Sequence, residues 1–407
     1  MGQLYRDIRI ADYSYDLPEE RIAKYPLPER DQSRLLVWDG RGITDTSFSE
    51  LPSYIGRDNL LVFNNTKVIR ARLRFMKESG AQIEVFCLEP HQPYDFAQNL
   101  SSSGQVEWKC LIGNLKRWKT GPLKASFMHR GEQVTLTAER MRAEGDAFIV
   151  RFSWDDNEMS FADVLSSTGH MPIPPYLRRD DEDSDVTDYQ TLYARIDGSV
   201  ASPTAGLHFT PAVFDALEAK GVHKTEITLH VSAGTFRPVK SELICDHMMH
   251  TEHFFVTTEV IKSLIATNIT AVGTTSVRAL ESLYWLGLKA SEGLLPDAGL
   301  PSVSQWDPYE NNAVTDTDSA LGQLLKFMEE RRLQRMEAKT DIIIVPGYRF
   351  RLVNSMVTNF HQPRSTLLLL VAAFTGNAWK EIYDHALSSG FRFLSYGDSM
   401  LLTPVKG

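Results

Sequence analysis

The chain has 407 residues, 43% of them hydrophobic and 23% charged, with a formal net charge of −9. That balance supplies a normal core for about two or three domains and excludes wholesale disorder. The acidic surplus argues against a uniformly basic nucleic-acid binder, because phosphate contacts need local positive charge.

Cys87, Cys110 and Cys245 make an odd set without a C-x-x-C pair, which suits a reducing cytosol and speaks against a disulfide scaffold or a four-cysteine zinc site. The start, MGQLYRDIRI, has no apolar signal core. The longest apolar run, Leu367 to Phe374, is far short of the ~20 residues a membrane helix needs. A cytoplasmic protein without a membrane partner is expected, and nothing in the pattern requires more than a monomer.

In chain order, a Pro-punctuated stretch from residue 15 ends in a strand-like LLVW at 35–38, and NLLVFNN at 59–65 reads as a buried strand. From 67 to 154 the period changes to two. QIEVFCLEP, VEWKCLIG, QVTLTAE and DAFIVRF alternate apolar and polar residues between turns such as SSSG and HRGE, with Val106, Trp108, Cys110 and Ile112 on one face. Short strands so closely spaced predict a small inserted β-barrel or sandwich.

Beyond 155, helix and strand signals alternate, which predicts an α/β layer. PAVFDALEAKG reads as a helix stopped at Gly221, TEITLHV as a strand, and TAVGTTSVRALESLYWLG as strand, turn and helix. TDIIIVPG reads as a further buried strand, and LRRDDEDSDVTD at 177–188 as a mobile loop. Residues 287–316 look loop-like. Thr317 to Lys339 reads as one helix with Leu321, Leu324, Leu325, Met328 and Met336 on one face, capped by Ser319 or Asp318. The expected layout is an α/β domain from 1–66 and 155–407, with 287–340 as an elaboration, and the β-barrel at 67–154.

The charge is unevenly spread. Residues 67–152 hold 14 basic and 9 acidic side chains, against 29 basic and 43 acidic in the remainder. Two clusters stand out, KVIRARLRFMK with Lys67, Arg70 and Arg72, and LKRWKTG with Lys116, Arg117, Trp118 and Lys119. Cations flanking an exposed aromatic suit a single-stranded RNA loop; a solvated turn with a half-buried tryptophan fits the same residues.

Five segments break periodicity: GHMPIPPYLRR, SPTAGLHF, LHVSAGTFRP, VGTTSVRALES and TNFHQPRST. Each joins Gly or Pro to hydroxyls and a His or Arg, as a polar site built from several loops requires. Thr274 and Thr275 after Gly273 can bind an anion at a helix N-terminus, and Arg278 a carboxylate; helix capping with a surface arginine is the plainer alternative. DHMMHTEHF gathers His247, His250, Glu252 and His253 without zinc-site spacing, so no metal is expected there. His361 and His230 stand alone and are structural unless their neighbours converge on a ligand. Dinucleotide, P-loop and serine-hydrolase motifs are absent.

Taken together, DLPEERIAKYPLPERDQSRLLV, LVFNNTKVIRARL, GHMPIPPY, YQTLYAR, GSVASPTAGLHF, HVSAGTFRPV, HMMHTEHF, VGTTSVRALES, TDIIIVPGYRF, TNFHQPRSTLLLLVAAF and SYGDSMLL resemble, in order and across nearly the whole chain, the S-adenosylmethionine:tRNA ribosyltransferase-isomerases of queuosine biosynthesis. Ser232 stands where that family usually has glycine, and 287–340 is longer than its usual connector.

The resemblance implies an α/β domain with an inserted β-barrel. It also implies S-adenosylmethionine as co-substrate, a tRNA partner carrying the queuosine precursor base, and no metal. The chemistry needs proton-transfer groups, for which His208, His250, Glu252 and His361 are the candidates. Thr204, Gly206, Gly234, Thr235, Gly273, Thr274, Thr275, Arg278, Asn359, Ser365, Thr366 and Asp398 are the candidates for holding S-adenosylmethionine, with Asp398 meeting an ammonium or a ribose hydroxyl. Lys67, Arg70, Arg72, Lys116, Arg117, Trp118 and Lys119 would face the RNA. An RNA methyltransferase and a tRNA-binding paralogue without turnover are the competing readings.

Overall fold

A computed structural model describes residues 4–232, 239–311 and 313–404. They form two compact units. The first comprises residues 1–65, 191–194 and 203–407; the second comprises 66–190 and 195–202.

The first unit is built on one ten-stranded sheet. Its strands are β1 (Arg34–Trp38), β2 (Ile43–Ser47), β3 (Leu60–Asn64), β4 (His223–His230), β5 (Glu252–Thr257), β6 (Ile269–Val272), β7 (Ser302–Val303), β8 (Arg335–Thr340), β9 (Val353–Asn359) and β10 (Ser399–Leu402). The spatial order is β7-β8-β5-β4-β3-β6-β9-β10-β1-β2. The central four, β4, β3, β6 and β9, are parallel neighbours. All residues of β3 and β6 are buried, as a strand covered on both faces requires.

The main helices are α1 (Pro211–Ala219), α2 (Thr274–Ser291), α3 (Thr317–Glu330), α4 (Thr366–Thr375) and α5 (Ala378–Ser388). Thr210 caps α1, and Gly221, at φ +83°, supplies the left-handed stop after it. Among the described residues, no helix is long and apolar enough to cross a membrane.

Three expectations change here. The predicted helix 317–339 stops at Glu330, because Arg332 turns left-handed at φ +56° and the chain enters β8, which pairs antiparallel with β5. Met336 is buried on that strand, and the helix cap is Asp316, whose carboxylate accepts from Ser319 N. TDIIIVPG forms no ladder beyond Thr340. Its buried backbone is satisfied partly by backbone, Asp341 N donating to Val303 O and Ile343 N to Gln305 O, and partly by side chains: Ile342 N donates to Thr340 Oγ1, Val345 N to Tyr309 Oη, and Tyr309 Oη to Ile343 O. Residues 287–340 supply β7, β8 and α3, and so extend the main sheet by two strands.

The second unit carries a seven-stranded antiparallel sheet with the order 169–170, 72–76, 82–92, 105–113, 147–154, 132–144, 123–129. Val106, Trp108 and Cys110 are buried on one face, as their alternation predicts. Phe161, on a helix opened by a Ser160/Asp163 capping box, packs against Trp108, Phe152 and Trp154. Segment 177–188 is ordered by charge pairing. Arg179 grips the buried Asp185 with two bonds of 2.7 Å, and Arg74 meets Asp180 and Asp181.

One buried carboxylate fixes the approach to β9. Glu281, on α2, accepts from Tyr348 Oη at 2.7 Å and from the backbone N–H groups of Arg351, Leu352 and Val353 at 2.9–3.0 Å. Burial raises its pKa, against the pull of these four donors. Glu281→Ala strands all four donors and is expected to cost about 3–5 kcal/mol, read as a lowered urea midpoint; Glu281→Gln, which keeps an acceptor, falls in between.

Candidate active site

Parallel strands end at one edge of a sheet, so residues that follow β3, β4, β6 and β9 emerge together. These are Asn65, Val231 and Ser232, Gly273, and Phe360. The neighbours running the other way begin there: Glu252 starts β5 and Asp398 precedes β10. Most segments singled out in the sequence meet on this edge for that reason.

The Thr204–His208 turn and the end of β9 lock together. Thr204 Oγ1 donates to Asn359 Oδ1 at 3.2 Å, and Asn359 Nδ2 donates to His208 Nε2 at 3.1 Å. His208 Nε2 therefore accepts, Nδ1 carries the proton, and Nδ1 lies 2.8 Å from Ser33 Oγ. His208 is buried, and burial, reinforced by the Arg392 charge, lowers its pKa to about 3. Both ring nitrogens have partners, which tie the Thr204–His208 turn to Ser33 and Asn359. Gly206 is required by packing, since a Cβ there would lie 1.8 Å from Tyr193 Oη. Gly273 sits beside this turn at φ +89°, in the region that favours glycine, and its N–H donates to Val357 O at 2.8 Å.

Gly273 opens α2 and offers no side-chain cap. Thr275 and Arg278, three residues apart on one face of that helix, each hold a buried polar atom without a partner among the described residues: Thr275 Oγ1 and Arg278 Nη2. Arg278 Nε donates to Ile342 O at 3.0 Å, and Nη1 is paired with Glu252 Oε2. Burial raises the Glu252 pKa, while Arg278 and a backbone bond with Ser232 pull it down.

Arg278 and Glu252 line a pocket with Ser232, His247, His250 and Thr366, and Ile342, Ile343, Ile344 and Leu370 form its apolar wall. His250 is exposed at this pocket, and His247 has its pKa lowered by burial and then by His250. His247 stands out in the sequence only as a member of the DHMMHTEHF cluster, and the Ile342–Ile344 wall only through its place in a motif shared with the resembled family.

The other candidates have structural partners. Ser365 caps α4 through Leu368 N, and Thr366 begins that helix at the pocket. His361 Nε2 lies 2.9 Å from Thr358 Oγ1, and burial lowers its pKa. Asp398 is buried, with Oδ1 accepting from Arg34 N and Oδ2 from Arg392 N. Gly234 and Thr235 lie outside the described residues. His253 Nδ1 pairs with Glu337, and among the described residues no group of three or more His, Cys, Asp or Glu converges as a metal site would.

On the second unit, Trp118 is 1% exposed, and its indole N–H donates to Gly121 O at 2.8 Å. It cannot stack on a base, because its ring is part of the core beneath Arg140. Lys116, Arg117 and Lys119 around it are exposed. Lys67 pairs with Asp197, Arg70 donates to Ser166 O, and Arg72 pairs with Glu84.

The family model described as queuosine biosynthesis protein matches residues 10–402. A curated relative from Azoarcus sp. (strain BH72), the S-adenosylmethionine:tRNA ribosyltransferase-isomerase, is 38% identical over 403 residues, 97% of this chain and 98% of that protein. A crystal structure of S-adenosylmethionine tRNA ribosyltransferase from Thermotoga maritima is 28% identical, covers 96% of this chain and 99% of that one, and superposes with a TM-score of 0.45. The chain belongs to the queuosine biosynthesis protein family.

The His208 geometry has a consequence for stability. A histidine at 6.5 when unfolded and about 3 when folded stays neutral in the native state while the unfolded chain takes up a proton. Its contribution is whole above pH 6.5 and is lost as pH falls toward 3, at up to about 1.4 kcal/mol per pH unit. A His208→Gln variant should show a shallower fall of Tm below pH 6.5 than the wild type, measured by thermal melts across a pH series.

Proposed function

We propose that this chain transfers and isomerises the ribosyl group of S-adenosylmethionine onto 7-aminomethyl-7-deazaguanine at the tRNA wobble position. The product is epoxyqueuosine-tRNA, with adenine and methionine released. Family membership and the curated relative's activity support this reading. The single structural observation that carries it is the buried Arg278, whose Nη2 has no partner among the described residues, near the N-terminal end of α2 and in the pocket of Glu252 and His250.

Arg278, Thr275 and the helix N-terminus suit the methionine carboxylate. The sulfonium acidifies the adjacent ribose carbon, so the reaction begins with proton removal from that carbon and loss of adenine. The neutral amine of the tRNA base then bonds to the ribosyl unit and gives up a proton, and epoxide closure by a sugar oxygen breaks the carbon–sulfur bond as methionine leaves. His250, solvent-reachable at the pocket, is our candidate for taking the carbon-bound proton. Glu252, held by Arg278, keeps the guanidinium in place. His208 and Asn359 act as positioning residues behind the Thr204 turn.

We read the seven-stranded sheet as a curled, barrel-like wall, supported by the close approach of strands 72–76 and 123–129. The exposed Lys116, Arg117 and Lys119 suit tRNA phosphates there. The free thiols and the tRNA substrate favour the cytoplasm, and one chain suffices for the chemistry proposed.

Incubation with S-adenosylmethionine and precursor-bearing tRNA should release adenine and methionine in equal amounts, detected by mass spectrometry; release of neither, or a methylated RNA instead, refutes the proposal. Arg278→Lys should raise KM for S-adenosylmethionine about 10–100-fold, and His250→Asn should lower kcat about 10²–10⁴-fold. Changing Lys116, Arg117 and Lys119 to alanine together should weaken tRNA binding and flatten the plot of log affinity against log salt by about two, with the melting temperature unchanged.

A further inference from the structure

Two buried atoms of opposite charge near the Glu252–Arg278 pair have no hydrogen-bond partner among the described residues: Arg278 Nη2 and Asp341 Oδ1. The backbone keeps their residues close. Arg278 Nε donates to the carbonyl of Ile342, the residue after Asp341. Thr340, the residue before it, faces Glu252 across the β5–β8 ladder, and its hydroxyl lies 2.7 Å from Ser282 Oγ, one turn along α2 from Arg278. Yet Arg278 is paired with Glu252, and Asp341 takes part in no ion pair among the described residues.

A buried donor and a buried acceptor of opposite charge, held near each other but apart, are complementary to a ligand that carries both charges. The simplest such group is an α-amino acid: a carboxylate and an ammonium on one carbon. The remaining acids nearby are otherwise engaged. Both Asp398 oxygens accept backbone N–H groups, and Glu252 holds Arg278. Asp341 also helps to keep the Glu252 pKa raised, after burial, so its charge is felt by that pocket residue, and its chain neighbour Ile342 lines the pocket.

We propose that Asp341 and Arg278 form a two-point clamp for a zwitterionic α-amino-acid group, Arg278 taking the carboxylate and Asp341 the ammonium. The assignment rests on the pocket being the S-adenosylmethionine site, and it makes the amino group a determinant of specificity. Asp341 acts on binding, and its effect belongs in KM more than in kcat.

The test compares S-adenosylmethionine with its desamino analogue, in which hydrogen replaces the α-amino group, on the full chain with saturating precursor tRNA. The wild type should prefer S-adenosylmethionine by about tenfold or more in kcat/KM, and Asp341→Asn should lose that preference through a raised KM for the natural substrate. Retention of the full preference by Asp341→Asn overturns the clamp while leaving the proposed reaction standing. Absence of turnover by the wild type overturns the reaction and the clamp with it. Should the variant fail to fold, calorimetry on the wild type alone decides: equal affinity for the two compounds overturns the clamp, and weaker binding of the desamino compound supports it.

Discussion

Everything at the candidate site depends on the parallel register of β4, β3, β6 and β9. Parallel strands release their chains at a common edge, and the chain then has nowhere to go but across that edge into the next connection. Ser232, Gly273 and Asn359 are thereby neighbours although the sequence separates them widely. The antiparallel β5 and β10 add residues from the opposite direction, which is how Glu252 and Asp398 arrive at the same rim. The rim is then consolidated by hydrogen bonds that leave few groups free. Thr204, Asn359 and His208 bind one another, and Asp398 binds backbone. Among the described residues, the unpartnered buried atoms of Thr275, Arg278 and Asp341 are the informative ones.

Much of this was legible in the sequence. Period-two alternation found the strands of the second unit, and Gly221 and Gly273 marked a helix stop and a helix start where the structure has them. Departure from periodicity located the loops of the rim, because a turn shaped for a site cannot keep a regular apolar stripe. What was hidden has particular causes. Met336 continued the apolar stripe of α3 by position, but its burial comes from pairing with β5, a contact 80 residues away that no local pattern records. The run Ile342–Val345 is apolar like a strand, yet most of its backbone partners are tyrosine, threonine and arginine side chains, with the backbone of Gln305 as another. Environments within the rim were hidden as well: the sequence shows a histidine at 208 but neither the burial that lowers its pKa nor its partners Ser33 and Asn359.

The second unit gives a parallel lesson in charge. The basic surplus of residues 67–152 does not extend to the whole unit, which holds 17 basic and 20 acidic side chains, and several of its cations are answered internally, by Asp197, Glu84, Asp180 and Asp181. The acidic stretch near residue 180, which reads as a solvated loop, contributes several of those partners. Among the outward cations is the trio around Trp118, whose ring anchors the turn that presents them.

Helix α2 carries Arg278 just past its first turn and Glu281 about one turn further on, one facing the pocket and the other gripping the segment that feeds β9. A single rigid strut thus braces two walls of the same chamber. Any change that slides this strut lengthwise displaces the guanidinium and loosens the hinge behind Asn359 at once, so damage far from the ligand would register as a loss of grip on it. For anyone redesigning the enzyme, the interior of this helix is the last place to begin.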